Sequence, residues 1–176
     1  MMTPAEREAE RILQRAKLTD VPIPVEKLAQ TLGARITYRP FEQDLSGLLY
    51  REGHRVVIAV KLSDPLTRRR FTIAHEIGHM RLHPGRPMIV DKLVRIGNKR
   101  DATSALATDR EEIEANAFAA HLLMPAELVR SETERRLSKR KTWTAQAFIA
   151  DMAEGFGVSL QAMAYRLQNL GILYGD

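Results

Sequence analysis

The sequence has no cysteine and no long run of apolar residues. The lack of cysteine excludes a disulfide scaffold, a zinc site built on thiolates and a cysteine nucleophile. No apolar stretch approaches the roughly 20 residues that a helix needs to span a bilayer. The N-terminal segment is charged throughout, unlike the apolar stretch of a signal peptide. We therefore expect a cytoplasmic protein that does not contact a membrane.

What is present is the composition of an ordinary globular domain. The chain of 176 residues is 44% hydrophobic, and its 27 lysines and arginines against 22 acidic residues give a net charge of +5. This length corresponds to about one domain with room for a small appendage. We expect a main domain over residues 1–128 and a helical, helix-turn-helix-like extension over residues 129–176 that packs on the same core.

Hydrophobic periodicity predicts an α+β fold with helices at both ends. A small antiparallel sheet is expected beside a helix that starts near Pro65 and runs to Leu82. A loop is expected over Gly97–Asp109, followed by a helix over Arg110–Leu123. The strand-like segments are Ala34–Arg39, Ser46–Arg51, Arg55–Val60 and, as an edge strand, Met88–Ile96.

The helix that ends at Leu82 carries the motif H-E-x-x-H at His75, Glu76 and His79. Residues four apart lie one turn apart on the same helix face, so both imidazoles can bind one zinc ion. Glu76 lies beside them, placed to accept a proton from metal-bound water. Two solvated surface histidines are the alternative, but the apolar neighbours predict a largely buried helix. Gly78 would allow another segment to approach the site closely.

A third metal ligand is needed, because a catalytic zinc site generally has three protein ligands and one position open to water. The metzincin pattern would place a histidine at position 85, which is a glycine. The best candidates lie at the start of the following helix, where acidic residues also suit the helix dipole. Glu114 shares a face with Phe118 and His121, which should point at the core. Glu111, one turn before Glu114 on the same face, is the reserve candidate.

At these residues the chain resembles the ImmA/IrrE-type zinc metallopeptidases. The shared motifs are R-R-F-T-x-A-H-E-x-G-H, which ends at His79, the following Leu82-His83, and E-A-N-x-F-A-A-x-L-L-M-P, which begins at Glu114. The resemblance implies a zincin-like fold and a gluzincin site that Glu114 completes, with Zn²⁺ as the expected ion and Mn²⁺ as the alternative. It also implies that the substrate is a helix-turn-helix transcriptional repressor, cleaved in a mobile-element or stress response.

Other side chains are candidates for contacting the substrate or its oxyanion. His121 is the first of these because it faces the same way as Glu114, and Tyr50 and His54 follow; each also fits an ordinary structural position. His83 lies one turn after His79 and could approach the metal, but a residue closing the helix C-terminus is the simpler interpretation. A substrate backbone could pair with a strand edge at Met88–Ile96 or Arg55–Val60.

Two other functions remain open. A DNA-binding regulator is suggested by the net charge, the basic run Arg130–Lys141 and the helix-turn-helix-like pattern near the C-terminus. That assignment is not favoured, because the segment Leu160–Leu170 offers few polar side chains to read bases. A non-catalytic metal-containing interaction protein is the other alternative. Glu76 argues against it, since a purely structural site has no use for a carboxylate that is not a ligand.

Overall fold

The structure is a computed structural model that describes residues 2–41, 45–84, 88–92, 104–139 and 142–173, with the backbone alone described over 88–92 and 104–108. The described elements follow the chain in the order helix, helix, three strands, helix, strand and four helices. Their bounds are α1 Pro4–Ala16, α2 Val25–Thr31, β1 Ala34–Arg39, β2 Leu45–Glu52, β3 Arg55–Lys61, α3 Leu66–Leu82, β4 Met88–Lys92, α4 Ser104–Leu123, α5 Ala126–Lys139, α6 Ala145–Phe156 and α7 Leu160–Asn169.

Local sequence signals explain where several helices begin and end. Thr3 caps α1 through a reciprocal pair of hydrogen bonds with Glu6, the arrangement known as a capping box. Thr144 and Ser159 cap α6 and α7 by accepting a hydrogen bond from the backbone N–H three residues later. Gly157 ends α6 in the left-handed conformation, with φ of 64°, which glycine adopts without steric cost.

The four strands form one mixed sheet in the order β1-β3-β2-β4. β2 pairs antiparallel with β3 and with β4, whereas β1 pairs parallel with β3. The α+β class is confirmed, but the expectation of a purely antiparallel sheet is wrong for this one pair. The β2–β3 hairpin returns the chain to the direction of β1, and β1 lies on the outer side of β3. β3 is therefore an inner strand, and the proposed substrate edge at Arg55–Val60 does not exist.

The boundaries of the second half differ from the sequence expectation. α4 begins at Ser104, so the end of the expected loop over Gly97–Asp109 is helical. β4 covers the first part of the expected edge strand. The rest of that strand and the start of the loop lie outside the described residues. The alanines at the start of α4 favour a helix over a loop. The expected loop was based on the lack of hydrophobic periodicity, which does not take this propensity into account.

One hydrophobic core runs through the described residues and includes side chains from both sides of residue 128. Ile77 of α3, Phe118 of α4, and Phe156 and Leu167 of the last two helices are all fully buried within it. The division of the chain at residue 128 stays a prediction. Within the part of the chain that the structure describes, no helix is long and apolar enough to cross a membrane.

Candidate metal centre

The H-E-x-x-H segment lies in the middle of α3, where every residue from Thr72 to His79 is buried. His75 and His79 are 2% and 0% exposed, and their Nε2 atoms lie 2.9 Å apart. The helical spacing of four residues therefore produces the expected convergence of two imidazoles. A solvated helix face is excluded by this burial.

Glu112 of α4 brings the third donor. Its Oε2 lies 3.2 Å from His75 Nε2, and its Oε1 lies 3.2 Å from His79 Nε2. Ligand atoms of these three side chains all lie within 4.8 Å of one another. Among the residues that the structure describes, His75, His79 and Glu112 are the set arranged to hold a metal ion.

The prediction of Glu114 as the third ligand, with Glu111 in reserve, is wrong for this group, because the structure places neither of them in it. Glu114 instead contacts His83 and Arg110. The error lies in the choice of helix face. Glu112 shares a face with Ala115 and Ala119, which are fully buried, and Ala115 of this face packs on α3 at Gly78. Glu114 lies 200° away from Glu112 around the helix, two residues further on.

Gly78 explains how the two helices come close enough for this contact. A Cβ atom there would lie 3.2 Å from Ala115 Cα and 3.3 Å from Ala115 O, both of which are backbone atoms of α4. The prediction that Gly78 lets a second segment approach the site is confirmed. The close approach brings Glu112, one turn before Ala115, to the two imidazoles.

The donor set fits a zinc ion. His75 Nδ1 lies 3.0 Å from Asn116 Oδ1, and an amide oxygen only accepts, so Nδ1 carries the ring proton and Nε2 presents its lone pair to the centre. Two nitrogens and a carboxylate are a combination that zinc binds in catalytic sites. A cation at the centre would offset the repulsion among these electron-rich atoms.

The electrostatics of the site favour the states that bind a metal. Burial lowers the pKa of His79, and the contact with the Glu112 carboxylate opposes this only in part, so the imidazole is held neutral. Burial would raise the pKa of Glu112, but the contacts with His75 and His79 outweigh burial and lower that pKa to about 2. Neutral histidines and an ionised carboxylate are the forms in which these side chains act as ligands.

Glu76 lies beside the three ligand candidates without joining them. Its side chain is fully buried, and β2 passes close to it because Gly47 has no side chain. A Cβ atom at Gly47 would lie 2.9 Å from Glu76 Oε1 and would collide with Thr72. Gly47 thus leaves room for this carboxylate between α3 and β2, and Glu76 follows His75 directly in the chain.

Arg51 is a site residue that the sequence reasoning missed. Its Nη2 donates to the carbonyl oxygen of His79 over 3.0 Å. Burial lowers the pKa of Arg51, and the nearby charge of Glu76 opposes that shift. The alternation of side chains along β2 could have indicated Arg51, because it lies on the same face of the strand as Gly47 and the fully buried Leu49.

The other candidates for substrate contact lie elsewhere. His121 Nε2 is 3.1 Å from Glu10 Oε2 of α1, and the nine residues from Glu112 place it roughly 13 Å further along α4. Tyr50 belongs to the opposite face of β2 and is 40% exposed, because strand side chains alternate. His54 lies in the exposed turn after β2. None of these three side chains belongs to the group formed by His75, His79 and Glu112.

Comparisons with known proteins agree with this architecture. A family model described as the IrrE N-terminal-like domain, Peptidase_M78, matches residues 29–168. A solved structure titled Mycobacterium tuberculosis transcriptional regulator superposes with a TM-score of 0.62 at 19% identity, covering 95% of this chain and 47% of the other. The chain thus spans about half the length of that relative, and the likeness concerns the fold. No curated protein matches the sequence.

Proposed function

Because the chain belongs to the Peptidase_M78 family of IrrE N-terminal-like domains, we propose that it is a zinc-dependent endopeptidase. The observation that carries the proposal is the buried Glu76 beside three converging ligand side chains, His75, His79 and Glu112. A purely structural metal site would bury that extra carboxylate at a cost and without a use. The resemblance to the ImmA/IrrE enzymes, expected from the motifs, is confirmed by the family match.

The proposed reaction is hydrolysis of a peptide bond. His75, His79 and Glu112 would hold the ion, which when bound polarises the scissile carbonyl and lowers the pKa of a bound water. Glu76 acts as the general base that accepts a proton from the attacking water. The same carboxyl then delivers this proton to the leaving amine nitrogen. Arg51 carries a positive charge close to Glu76 and favours its ionised form before the attack.

The proposed substrate is a helix-turn-helix transcriptional repressor, as the family resemblance implies. A strand of such a substrate could add to β4, which is an outer strand of the described sheet. Mn²⁺ is the alternative ion in the cell. The stress or mobile-element setting belongs to the same proposal and rests on the family alone.

DNA binding by the C-terminal helices is the weaker alternative. Arg166 is the single charged side chain of α7, and it turns inward to donate to the carbonyl oxygen of Met124 over 2.9 Å. Met163 and Leu167 of the same helix are buried. A recognition helix reads bases with charged or amide side chains that face the groove. With Arg166 turned inward, α7 offers only the exposed amides Gln161, Gln168 and Asn169, so these contacts favour a packing role for α7.

The test is co-expression with a repressor encoded beside this chain, followed by intact mass and metal analysis. Glu76→Gln should abolish cleavage and retain the metal, because the isosteric amide cannot accept the proton. His75→Ala should lose both cleavage and metal. Normal cleavage by Glu76→Gln would refute the general-base role. Metal retention without cleavage of any repressor by the unchanged chain would instead favour the non-catalytic interaction protein.

A further inference from the structure

The outward face of α1 carries a row of arginines. Arg7, Arg11 and Arg15 follow one another at intervals of four residues, so they form one stripe along the helix, and all three are exposed. The stripe lies opposite the apolar side chains that α1 buries in the core, which are Ala5, Ala9, Ile12 and Leu13. Like charges at this spacing destabilise a helix, so the stability of α1 does not explain the stripe.

The acidic side chains of α1 do not neutralise this face. The helix contains three glutamates and three arginines, but each glutamate has a partner that lies off the stripe. Glu6 accepts a hydrogen bond from the backbone N–H of Thr3 within the helix cap. Glu10 contacts His121 of α4, with Oε2 of the glutamate 3.1 Å from Nε2 of the histidine. The outward face of α1 is therefore positive although the helix as a whole is neutral.

The third glutamate brings a fourth arginine to this surface. Arg81, near the end of α3, donates to Glu8 Oε1 from Nη2 over 2.8 Å and from Nε over 3.1 Å. Arg11 donates to the other oxygen of the same carboxylate. The Glu8 side chain is 11% exposed, whereas those of Arg81 and Arg11 are 36% and 57% exposed. One sheltered carboxylate thus holds two arginines side by side and offsets only one of their charges.

These residues border an open cleft of about 480 Å³ between α1 and the end of α3. Its lining residues are Pro4, Arg7, Glu8, Arg11, Arg81 and Leu82. Three arginines against one glutamate give the cleft an excess of two positive charges. A guanidinium can bind a phosphate through two parallel hydrogen bonds, so the cleft and the stripe suit a polyanion built of phosphate groups.

The lack of apolar side chains on this face distinguishes among the polyanions. A protein partner binds through aromatic and apolar anchors at the centre of an interface. Within Pro4–Ala16, all of which the structure describes, no large apolar side chain is exposed. A helix that lies in a lipid surface also needs an exposed apolar face. Binding to the backbone of DNA is mainly electrostatic and needs no such anchors.

We propose that Arg7, Arg11, Arg15 and Arg81 form a surface that binds the phosphate backbone of duplex DNA without reading its sequence. This surface is separate from the C-terminal helices and does not depend on peptidase activity. Binding to DNA would raise the local concentration of the chain near a repressor that occupies the same duplex. Only this last link rests on the proposed function.

The first experiment measures binding of the full chain to two labelled DNA duplexes of unrelated sequence, by fluorescence anisotropy at increasing salt. Each phosphate contact adds about −0.9 to the slope of log K against log salt, so four arginines predict a slope of about −3.6. Affinity should then fall roughly 150-fold between about 50 and 200 mM salt, equally for both duplexes. No binding, a flat salt dependence or a strong preference for one duplex would overturn the proposal.

The second experiment compares two triple variants that lose the same charge. The test variant changes the stripe on α1, as Arg7→Gln, Arg11→Gln and Arg15→Gln. Glutamine keeps the helix propensity of arginine, and the slope should fall to about −0.9, the contribution of Arg81 alone. The control variant removes three exposed charges from α5, as Arg130→Gln, Arg135→Gln and Lys139→Gln. The control should bind like the unchanged chain, and equal losses in both variants would overturn the proposal.

A single substitution keeps the test decisive if the triple variant on α1 does not fold. Arg15→Gln alone should lower the magnitude of the slope by about 0.9, and an unchanged slope would contradict the proposal equally.

Competition identifies the kind of polyanion. Polyglutamate and phosphatidylglycerol vesicles, at the same concentration of charge, should displace the labelled duplex far less than unlabelled DNA does. Equal displacement by polyglutamate would indicate an acidic protein partner, equal displacement by vesicles would indicate a lipid surface, and either result would overturn the assignment to DNA. Absence of peptidase activity would refute the proposed function and leave these binding measurements intact.

Discussion

At the scale of single residues, the chemistry of the centre depends on which atom each side chain presents. His75 presents Nε2 because Asn116 occupies its Nδ1, and Glu112 presents both oxygens because it lies between the two imidazoles. Three glutamates stand within four residues of one another at Glu111, Glu112 and Glu114. Only the direction in which each one leaves the helix distinguishes them.

Substitution of these three glutamates by glutamine should therefore give three different zinc affinities. Glu112→Gln should weaken binding by more than about 100-fold, the upper end of the losses seen for residues that only orient a ligand. Glu114→Gln should cause a smaller loss, and Glu111→Gln is the control, with affinity close to that of the unchanged chain. Isothermal titration or chelator competition provides the measurement. Retention of zinc by Glu112→Gln together with its loss in Glu114→Gln would restore the assignment made from the motif.

At the scale of secondary-structure elements, the site depends on how closely α3 and α4 approach. Gly78 of α3 lies against Ala115 of α4, so the two helix backbones come close together at this point. Glycine in a helix interior costs about 1 kcal/mol relative to alanine, so its presence here has to be offset by the contact that it permits. Glu112 reaches the histidines only because this contact is short.

Gly78→Ala should lower both the stability and the zinc affinity of the protein. The new methyl group meets backbone atoms that cannot rotate away, and overpacking of this kind typically costs 1–3 kcal/mol. Gly155→Ala is the matched control, because it also adds a methyl group inside a helix but meets only side-chain atoms, at the guanidinium end of Arg136. Urea unfolding and zinc titration measure the two effects. Equal behaviour of the two variants would show that the α3–α4 contact does not limit metal binding.

At the scale of the whole molecule, Arg70 of α3 joins segments that are far apart in the sequence. Its Nη2 donates to the carbonyl oxygen of Ile23 over 2.9 Å, and its Nε donates to that of Gly157 over 3.0 Å. The first carbonyl precedes α2 and the second follows α6. This side chain therefore ties α3, the helix that carries His75 and His79, to both the N-terminal region and the C-terminal helices.

Arg70→Met should destabilise the whole chain by about 3–6 kcal/mol, because it removes two hydrogen bonds to a charged group, which contribute roughly 1.5–3 kcal/mol each. Arg68→Met is the control, since Arg68 is largely exposed and pairs only loosely with Asp64 over 3.8 Å. Trp143 is the single tryptophan, so its fluorescence reports on residues 129–176 while circular dichroism reports on all helices. Both signals should move together if the core is one cooperative unit. Two separate transitions would support an independent C-terminal extension.

Much of this protein follows from its sequence alone. The H-E-x-x-H spacing fixed the relation of His75, Glu76 and His79, because a helix repeats every 3.6 residues whatever surrounds it. Period-two patterns located the strands β1 to β3, and the combined motifs identified the family. The sequence also indicated a close approach at Gly78, because glycine has no side chain and leaves room for a second helix there.

The tertiary structure decided what local periodicity cannot express. A helix with apolar residues on two faces, such as α4, does not reveal which face meets which neighbour, so the choice among Glu111, Glu112 and Glu114 required the packing of α4 on α3. The parallel pairing of β1 with β3 likewise depends on the order of strands in space. The contacts of His83 with His79 and Glu114 arise only where the end of one helix meets the side of another.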